Sequence, residues 1–376
     1  MRKIAGIYWD TSSVGGIATE AETFRRIAAE SGDLLHVLRS PCAVSKAPIL
    51  YPEPKLIRGG DTFIYIDGEI SHHPNQVEAS IDFLHENYDG LLFIFPCPHA
   101  TKAYGNEPHF LPFYTDTWLP KVMRILDAYW STYAEWGELC AAECNTIFVN
   151  QPAYAEPLKG SPLYDKIVLT KKPFLPFKND LFVDRNTDLL IWPNQWKAIK
   201  GIKPFLKTIP LLPEWMQIEM YSNGIEYYQQ RQGVDWLMAV RWDHFKGFDG
   251  LGRADFYGYV TLTEMAKAYA RATWTVDFQG HAVKYEAYKQ GSYNNTTVEA
   301  LYYGALPILD FQATKSPVPN DLFYTVDSPL GLPDLDWLRL REKACDPGRR
   351  AKAREWVLDF HSAAKVWKTT MEGMFE

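Results

Sequence analysis

The sequence has no run of about 18 or more apolar residues, so nothing in it reads as a membrane-spanning helix. Its first apolar stretch, Lys3 to Trp9, meets Asp10 too early to serve as a signal-peptide core. Five cysteines in 376 residues, Cys42, Cys97, Cys140, Cys144 and Cys345, are too few and too irregularly spaced for a disulfide framework. These absences predict a cytoplasmic protein with no membrane partner. An excess of positive charge is missing as well: 39 Lys and Arg stand against 46 Asp and Glu, a net charge of −7. That excludes a histone-like nucleic-acid binder, but not an enzyme that touches nucleic acid through one local basic patch. Low-complexity segments and short-period repeats are absent, and 47% apolar content excludes wholesale disorder.

What is present is an alternation of strand and helix patterns. Lys3–Trp9 predicts a strand, Thr19 to Glu30 a helix, and Leu34–Leu38 a second strand, with Gly15-Gly16 in the loop between the first two. Thr62–Asp67, Gly90–Phe95 and Thr146–Val149 read as further strands, with helices over Asn75–Asn87 and about Trp118–Cys144. A Pro-rich, basic, aperiodic stretch from about Lys171 to Arg185 reads as a linker. A second series follows. Its strands are Leu189–Trp192, Gln217–Tyr221, Phe256–Val260, Thr273–Phe278 and Ala305–Leu309. Its helices are Pro204–Leu212, Thr261–Ala272 and Thr296–Gly304, and one long helical pattern closes the chain from Gly348 to Phe375. The predicted class is α/β with two Rossmann-like domains, 1–180 and 187–347, and a C-terminal helical segment, 348–376. In such folds ligands bind at the carboxyl ends of the strands, so the cleft between the halves is the expected site.

Two further absences narrow the chemistry. The loop after the first strand, Ser12-Ser-Val-Gly-Gly-Ile-Ala, lacks the G-x-G-x-x-G spacing of dinucleotide enzymes, and no Walker pattern occurs. With no export signal for a periplasmic binder, a sugar-nucleotide transferase remains. The most specific segment is Asn294-Asn295-Thr296-Thr297-Val-Glu299-Ala-Leu-Tyr-Tyr-Gly304-Ala-Leu-Pro. Asn and Thr favour helix N-termini, whose free N–H groups and positive dipole end suit a diphosphate. Glu299, expected in the first turn, is placed to accept hydrogen bonds from a ribose diol. From spacing alone, a capped helix with a solvent-facing Glu fits equally well.

That segment resembles the donor-binding signature of GT-B glycosyltransferases of the large retaining family-four type. Phe256-Tyr-Gly-Tyr259-Val-Thr-Leu-Thr-Glu-Met-Ala-Lys-Ala-Tyr is similar to the preceding strand and helix of those enzymes, where the nucleotide base is held near Tyr259. Asn194-Gln195-Trp-Lys197-Ala-Ile-Lys200-Gly201 resembles their Arg-x4-Lys-Gly diphosphate clamp. Two positions depart from the pattern. Gln195 stands for the Arg, leaving Lys197 to supply that charge as a point cation, and Gly291 stands for the first Glu of a paired-Glu motif. The resemblance implies a GT-B architecture, two Rossmann-like domains facing across a cleft with the C-terminal helix crossing back to the first. It implies retention at the anomeric carbon, a UDP-sugar donor and no obligatory metal or cofactor. It also places Gly15 and Gly16 near the donor phosphates and His99, at the end of a central strand, near the donor sugar. The catalytic set is then His99, Lys200, Lys197 and Glu299, with Gln195, Tyr259, Asn295, Thr296 and Thr297 completing the donor site.

A narrower likeness is to phage glucosyltransferases that modify 5-hydroxymethylcytosine in DNA. It rests on the order of Asp61–Asp67, the Asn75 helix, Gly90–His99 and Cys144–Asn150, and on Tyr221-Ser-Asn-Gly-Ile-Glu-Tyr-Tyr. It implies a monomer of the host cytoplasm acting on a 5-hydroxymethylpyrimidine. Charge argues against it: residues 1–186 carry 17 Lys and Arg against 23 Asp and Glu, the remainder 22 against 23. A DNA partner would need a local basic patch, for which Lys171, Lys172, Arg241 and Lys246 are the candidates, with Lys166, Lys178, Arg231 and Arg253 beside them. A glycan acceptor and a non-catalytic sugar-nucleotide binder are the alternatives. Asp334/Asp336 lies in a Pro-rich loop, and the resembled chemistry requires no metal; His72/His73 and Cys140/Cys144 lack the further ligands that a zinc site needs, and all three pairs read as structural.

Overall fold

The structure is a computed structural model. It describes the chain except for residues 10–14, 41–46, 60–61, 95–109, 126–138, 151–154, 177–184, 186–187, 195–200, 222–250, 258–259, 279–293 and 311–316. The chain divides into two compact units, one formed by residues 1–175 and 361–376, the other by 176–360.

The first unit is built on an eight-stranded sheet. Its strands are β1 (Lys3–Trp9), β2 (Leu34–Ser40), β3 (Ile49–Gly59), β4 (Thr62–Glu69), β5 (Gly90–Ile94), β6 (Lys121–Ile125), β7 (Thr146–Val149) and β8 (Ile167–Leu169). They lie in the order β3-β4-β2-β1-β5-β6-β7-β8, parallel throughout except for β3, which pairs antiparallel with β4 at one edge. Helices α1 (Gly15–Glu30) and α2 (Val77–Asn87) and the short turn α3 (Pro112–Thr115) connect them. The continuous apolar run of β5 is buried at every residue, as a central parallel strand covered on both faces should be.

The stretch expected to be one helix from Trp118 to Cys144 instead contains β6. The sequence Lys-Val-Met-Arg-Ile hides a strand because both of its cations look solvated, yet both are buried. Lys121 Nζ donates to the carbonyls of Tyr114 (2.9 Å) and Thr117 (2.7 Å). Arg124 is 0% exposed and pairs with Glu20 of α1, itself 4% exposed. Its remaining donors reach Thr170 Oγ1 and Asn150 Oδ1, both at 3.0 Å, just past the ends of β8 and β7. One guanidinium therefore ties α1 to three strand ends, and its face lies 5.0 Å from the Phe24 ring.

The second unit holds a six-stranded, all-parallel sheet. Its strands are β9 (Leu189–Trp192), β10 (Gln217–Tyr221), β11 (Ala254–Tyr257), β12 (Trp274–Asp277), β13 (Leu306–Asp310) and β14 (Tyr324–Val326), in the order β11-β10-β9-β12-β13-β14. Helices α4 (Ile202–Thr208), α5 (Leu262–Arg271), α6 (Asn295–Tyr303), α7 (Trp337–Cys345) and α8 (Pro347–Phe360) accompany it. Thr261 and Glu264 close a reciprocal capping box that starts α5 one residue later than the pattern suggested. Trp192, Phe205, Trp274 and Trp337 lie in the core beneath the sheet.

The long C-terminal helix expected from Gly348 to Phe375 is two helices. α8 ends at Phe360, and α9 (Ala363–Phe375) begins after Ser362, whose hydroxyl accepts from the Lys365 N–H. Between them His361 is fully buried and its Nδ1 donates to the Lys172 carbonyl at 2.8 Å, while Phe174 N donates to the His361 carbonyl. Burial holds the imidazole down to about 4, so it is neutral at physiological pH. α9 then packs Val366, Trp367, Met371 and Met374 into the core of the first unit. The closing helix thus crosses back, as the family resemblance implied.

Arg124→Met would leave Glu20 buried without its partner, and urea unfolding is expected to show a loss of about 3–5 kcal/mol. Lys352→Met breaks a pair with Asp321 whose side chains are 58% and 55% exposed, and is expected to cost less than about 1 kcal/mol. Equal losses would mean that the Arg124 network does not organise the first unit.

Candidate functional site

The donor-type motif folds as a strand, a connection and a helix, β12 to α6, in the second unit. Strand β12 ends at Asp277, 2% exposed, which stands against the N-terminus of α6. Its carboxylate accepts three hydrogen bonds: from Asn294 N (3.2 Å), Asn294 Nδ2 (2.6 Å) and Thr297 Oγ1 (2.6 Å). Asn294 occupies the N-cap but makes no capping bond with its own side chain; its amide is turned to Asp277 instead. The negative carboxylate beside the positive helix end is favourable in itself. These bonds employ the Asn294 groups and the Thr297 hydroxyl, and the amides of Asn295 and Thr296 belong to the first turn, which has no intrahelical acceptors.

Thr297 is buried, and Asn295 and Thr296 are partly exposed at the start of the helix. Glu299 is the fifth residue of α6, so it lies in the second turn and not the first. It is also not the freely solvated carboxylate of a plain surface helix. Although the residue keeps some exposure, burial of the carboxyl group raises it to about 7. Nearby on α5, the buried Tyr269 hydroxyl has no hydrogen-bond partner among the described residues. A carboxyl with little solvation of its own gains most from hydrogen-bond donors brought by a ligand.

The far end of α6 is equally fixed. Gly304, at φ 92, closes the helix in a left-handed conformation that favours glycine. Arg349 Nη2 donates to the Gly304 carbonyl at 2.7 Å, and Arg185 donates to the carbonyls of Ala272, Tyr303 and Gly304. Next to the motif, Asn194 follows β9 and donates its Nδ2 to the Val276 carbonyl at 2.8 Å, joining the ends of β9 and β12. Gly201, at φ 69, opens α4. Gln195, Lys197 and Lys200 lie between these two fixed points but outside the described residues, as do His99, Tyr259, Arg241, Lys246 and Gly291. Gly15 and Gly16 are the first two residues of α1, directly after the connection from β1, so that helix starts four residues before the expected Thr19.

Lys171 and Lys172 follow β8, Lys171 exposed and Lys172 partly so, with the Lys172 carbonyl engaged by His361. Two other members of the expected basic patch have structural roles. Lys166 Nζ donates to the carbonyls of Ala142 (2.6 Å) and Cys144 (3.0 Å). Arg253 donates to those of Ile209, Leu212 and Pro213. Lys178 and Arg231 are outside the described residues. Among the described residues no group of three or more His, Cys, Asp or Glu could hold a metal ion. Asp336 caps α7 by accepting from Arg339 N, His72 Nδ1 meets Ser40 Oγ at 2.8 Å, and burial pushes the Cys144 thiol up to about 12.

No protein-family model and no curated protein sequence matches the chain. Solved structures do. An alpha-glucosyltransferase in complex with UDP-glucose and DNA containing an abasic site superposes with a TM-score of 0.67 at 11% identity, covering 100% of both chains. HepE from Anabaena in complex with UDP-glucose gives 0.64 at 10% identity, over 99% of this chain and 100% of that one. Sucrose-phosphate synthase from Thermosynechococcus elongatus gives 0.65 at 12% identity, over 99% and 98%. The chain has the GT-B fold. At these identities the likeness is one of fold and extends over the whole chain.

Sequence reasoning missed Asp277. Asp277 could have been noticed as an acid closing an otherwise apolar strand, but its partners lie 17 and 20 residues further on. Asp277→Ala is expected to lower stability by about 2–3 kcal/mol in urea unfolding, because it removes charge-assisted bonds from a buried amide and hydroxyl. A change below about 0.5 kcal/mol would show that α6 holds its N-terminus without the carboxylate.

Proposed function

We propose that the protein is a glycosyltransferase that moves a hexose or pentose from a UDP-sugar to a hydroxyl, with retention at the anomeric carbon. The observation that carries this reading is the β12–α6 unit. It joins a helix N-terminus to a poorly solvated carboxyl one turn further along, in a chain whose whole length follows structures that hold UDP-glucose. In this reading the α6 N-terminus, Thr296, Lys200 and Lys197 stabilise the departing diphosphate electrostatically. Glu299 accepts from the ribose diol, Tyr259 borders the base, and Gly15, Gly16 and His99 approach the phosphates and sugar. The bond from the sugar C1 to the β-phosphate oxygen breaks as C1 bonds to the acceptor oxygen, and the acceptor's proton goes to the departing diphosphate. No step calls for a metal.

The acceptor we favour is a 5-hydroxymethylpyrimidine in phage DNA, with Lys171, Lys172, Arg241 and Lys246 contacting phosphates. The likeness to an enzyme solved on DNA supports it. A sugar or glycan acceptor is the second reading, supported by the equal likeness to HepE and sucrose-phosphate synthase and by the acidic balance of residues 1–186.

The test is transfer of labelled sugar from a panel of UDP-sugars into DNA containing hydroxymethylcytosine or hydroxymethyluracil, with unmodified DNA as control. Label in modified DNA alone, lost as salt rises, is the expected result. Donor hydrolysis without transfer to DNA would move the acceptor to the glycans, and no turnover at all would favour a non-catalytic binder. Lys200→Ala is expected to lower turnover by about 100-fold or more. Unchanged turnover would remove Lys200 from the diphosphate clamp.

A further inference from the structure

We propose that Arg185, Arg349 and Arg350 form a binding site for a phosphate dianion at the C-terminal end of α6. A helix of nine residues is about 14 Å long, so this place is separate from the helix start described above. Shared acceptors bring the three guanidinium groups together. The Gly304 carbonyl accepts from Arg185 Nη1 (3.3 Å) and Arg349 Nη2 (2.7 Å). The Ala344 carbonyl accepts from Arg349 Nη2 (3.1 Å) and Arg350 Nε (2.9 Å). Two donors on one oxygen lie no more than about 6 Å apart. A methyl group on Gly304 would touch both Arg185 and the Arg350 stem, so all three arginines surround that glycine.

Cations on helix C-terminal carbonyls are favourable, and the ends of α5, α6 and α7 meet here through Ala272, Gly304 and Ala344. These ends do not balance the charge. Each counts for about half a negative charge. Against them stand the three guanidinium groups and Lys343, on which Arg349 also acts. Asp346 is the carboxylate acting on Arg349, but its oxygens accept from the N–H groups of Gly348 and Arg349. Asp321, which acts on Lys343, is paired with Lys352. Among the described residues none of the three guanidinium groups has an ion-pair partner. Burial, and then the Arg350 charge, push both Arg185 and Arg349 down to about 10, so the cluster stays cationic at neutral pH.

Donors are left over as well. Arg349 is 6% exposed, and its Nη1 has no hydrogen-bond partner among the described residues. A buried donor in that state calls for an acceptor. Arg350 is held through Nε alone, which leaves both of its Nη groups to turn onto a ligand. Arg185 and Arg350 are partly exposed, so an anion enters between them and over Arg349. A terminal phosphate matches this arrangement: its two charges offset the surplus, and its oxygens accept from guanidinium forks in pairs. A nucleic-acid phosphodiester brings one charge and a chain on either side, which suits a recessed cluster less well.

The experiment is calorimetric titration of the full chain with inorganic phosphate, at an ionic strength held constant with sodium chloride. Saturable uptake of one phosphate is expected, and Arg350→Gln or Arg185→Gln is expected to weaken it about tenfold or more. Lys200→Ala, which alters the proposed diphosphate clamp, should leave this affinity within about twofold. Glycerol 3-phosphate is the second arm. Equal binding with the same variant dependence assigns the site to phosphomonoesters, and binding of inorganic phosphate alone assigns it to the free ion. Thermal unfolding gives a second readout. Phosphate should raise the unfolding temperature of the wild type and not that of Arg350→Gln, while the two proteins should match without phosphate.

Absence of saturable phosphate uptake by the wild type would overturn the proposal. So would uptake that survives both arginine substitutions, or that Lys200→Ala abolishes. An Arg350→Gln protein less stable by the same amount with and without phosphate would also overturn it, since a merely structural arginine gives that result. Displacement of phosphate by an unmodified DNA duplex would make the cluster a nucleic-acid contact and refute the small-anion assignment.

Discussion

The second unit turns on one carboxylate. Asp277 closes β12 and accepts from a backbone amide, a side-chain amide and a hydroxyl of the segment that starts α6. A buried carboxylate is costly unless its oxygens are occupied, and here the first residues of α6 occupy them. Strand end and helix start are thereby held as one piece, and the direction of α6 decides where its first-turn amides and Glu299 stand. Arg349 and Arg185 hold the other end through the Gly304 carbonyl. A helix pinned at both ends is the kind of rigid element that can present dipole and carboxyl to a ligand without reorganising.

The first unit solves the same problem with the opposite charge. Arg124 on β6 has its donors met by Glu20, Thr170 and Asn150, which belong to three separate parts of the chain. Lys121, at the other end of the same strand, is satisfied by two carbonyls. Both places where the backbone passes between the units involve buried polar contacts as well, through the Lys172 carbonyl with His361 and the Phe174 amide with the same residue. Such groups add little net stability when paired and cost much when a partner is removed, so they specify one arrangement more than they strengthen it.

These paired charges also explain what the sequence left obscure. Thr146–Val149 and Leu189–Trp192 form strands at those bounds because each is a short apolar run between polar residues, and Gln217–Tyr221 because its residues alternate polar and apolar. β6 is hidden within a helical pattern because Lys121 and Arg124 interrupt its apolar run. β3 carries Pro52 and Pro54, which argue against a strand anywhere except an edge, and an edge is where it lies. The three-residue strands β8 and β14 are too short for periodicity to register. At the site, Thr296, Thr297 and Glu299 were legible because helix-start chemistry is local in sequence. Asp277 was not, because what it does depends on residues 17 and 20 positions away. A single amphipathic pattern likewise concealed the break at His361, whose partner is 189 residues distant.

The proposed function places the nucleoside diphosphate sugar on the β12–α6 unit. Amide hydrogen exchange of the protein with and without UDP-glucose tests it most directly. Slowed exchange is expected in peptides covering residues 294–300, with α2 and the β3–β4 edge unchanged. Slowing confined to other parts of the chain, with the first turn of α6 exchanging as before, would contradict it.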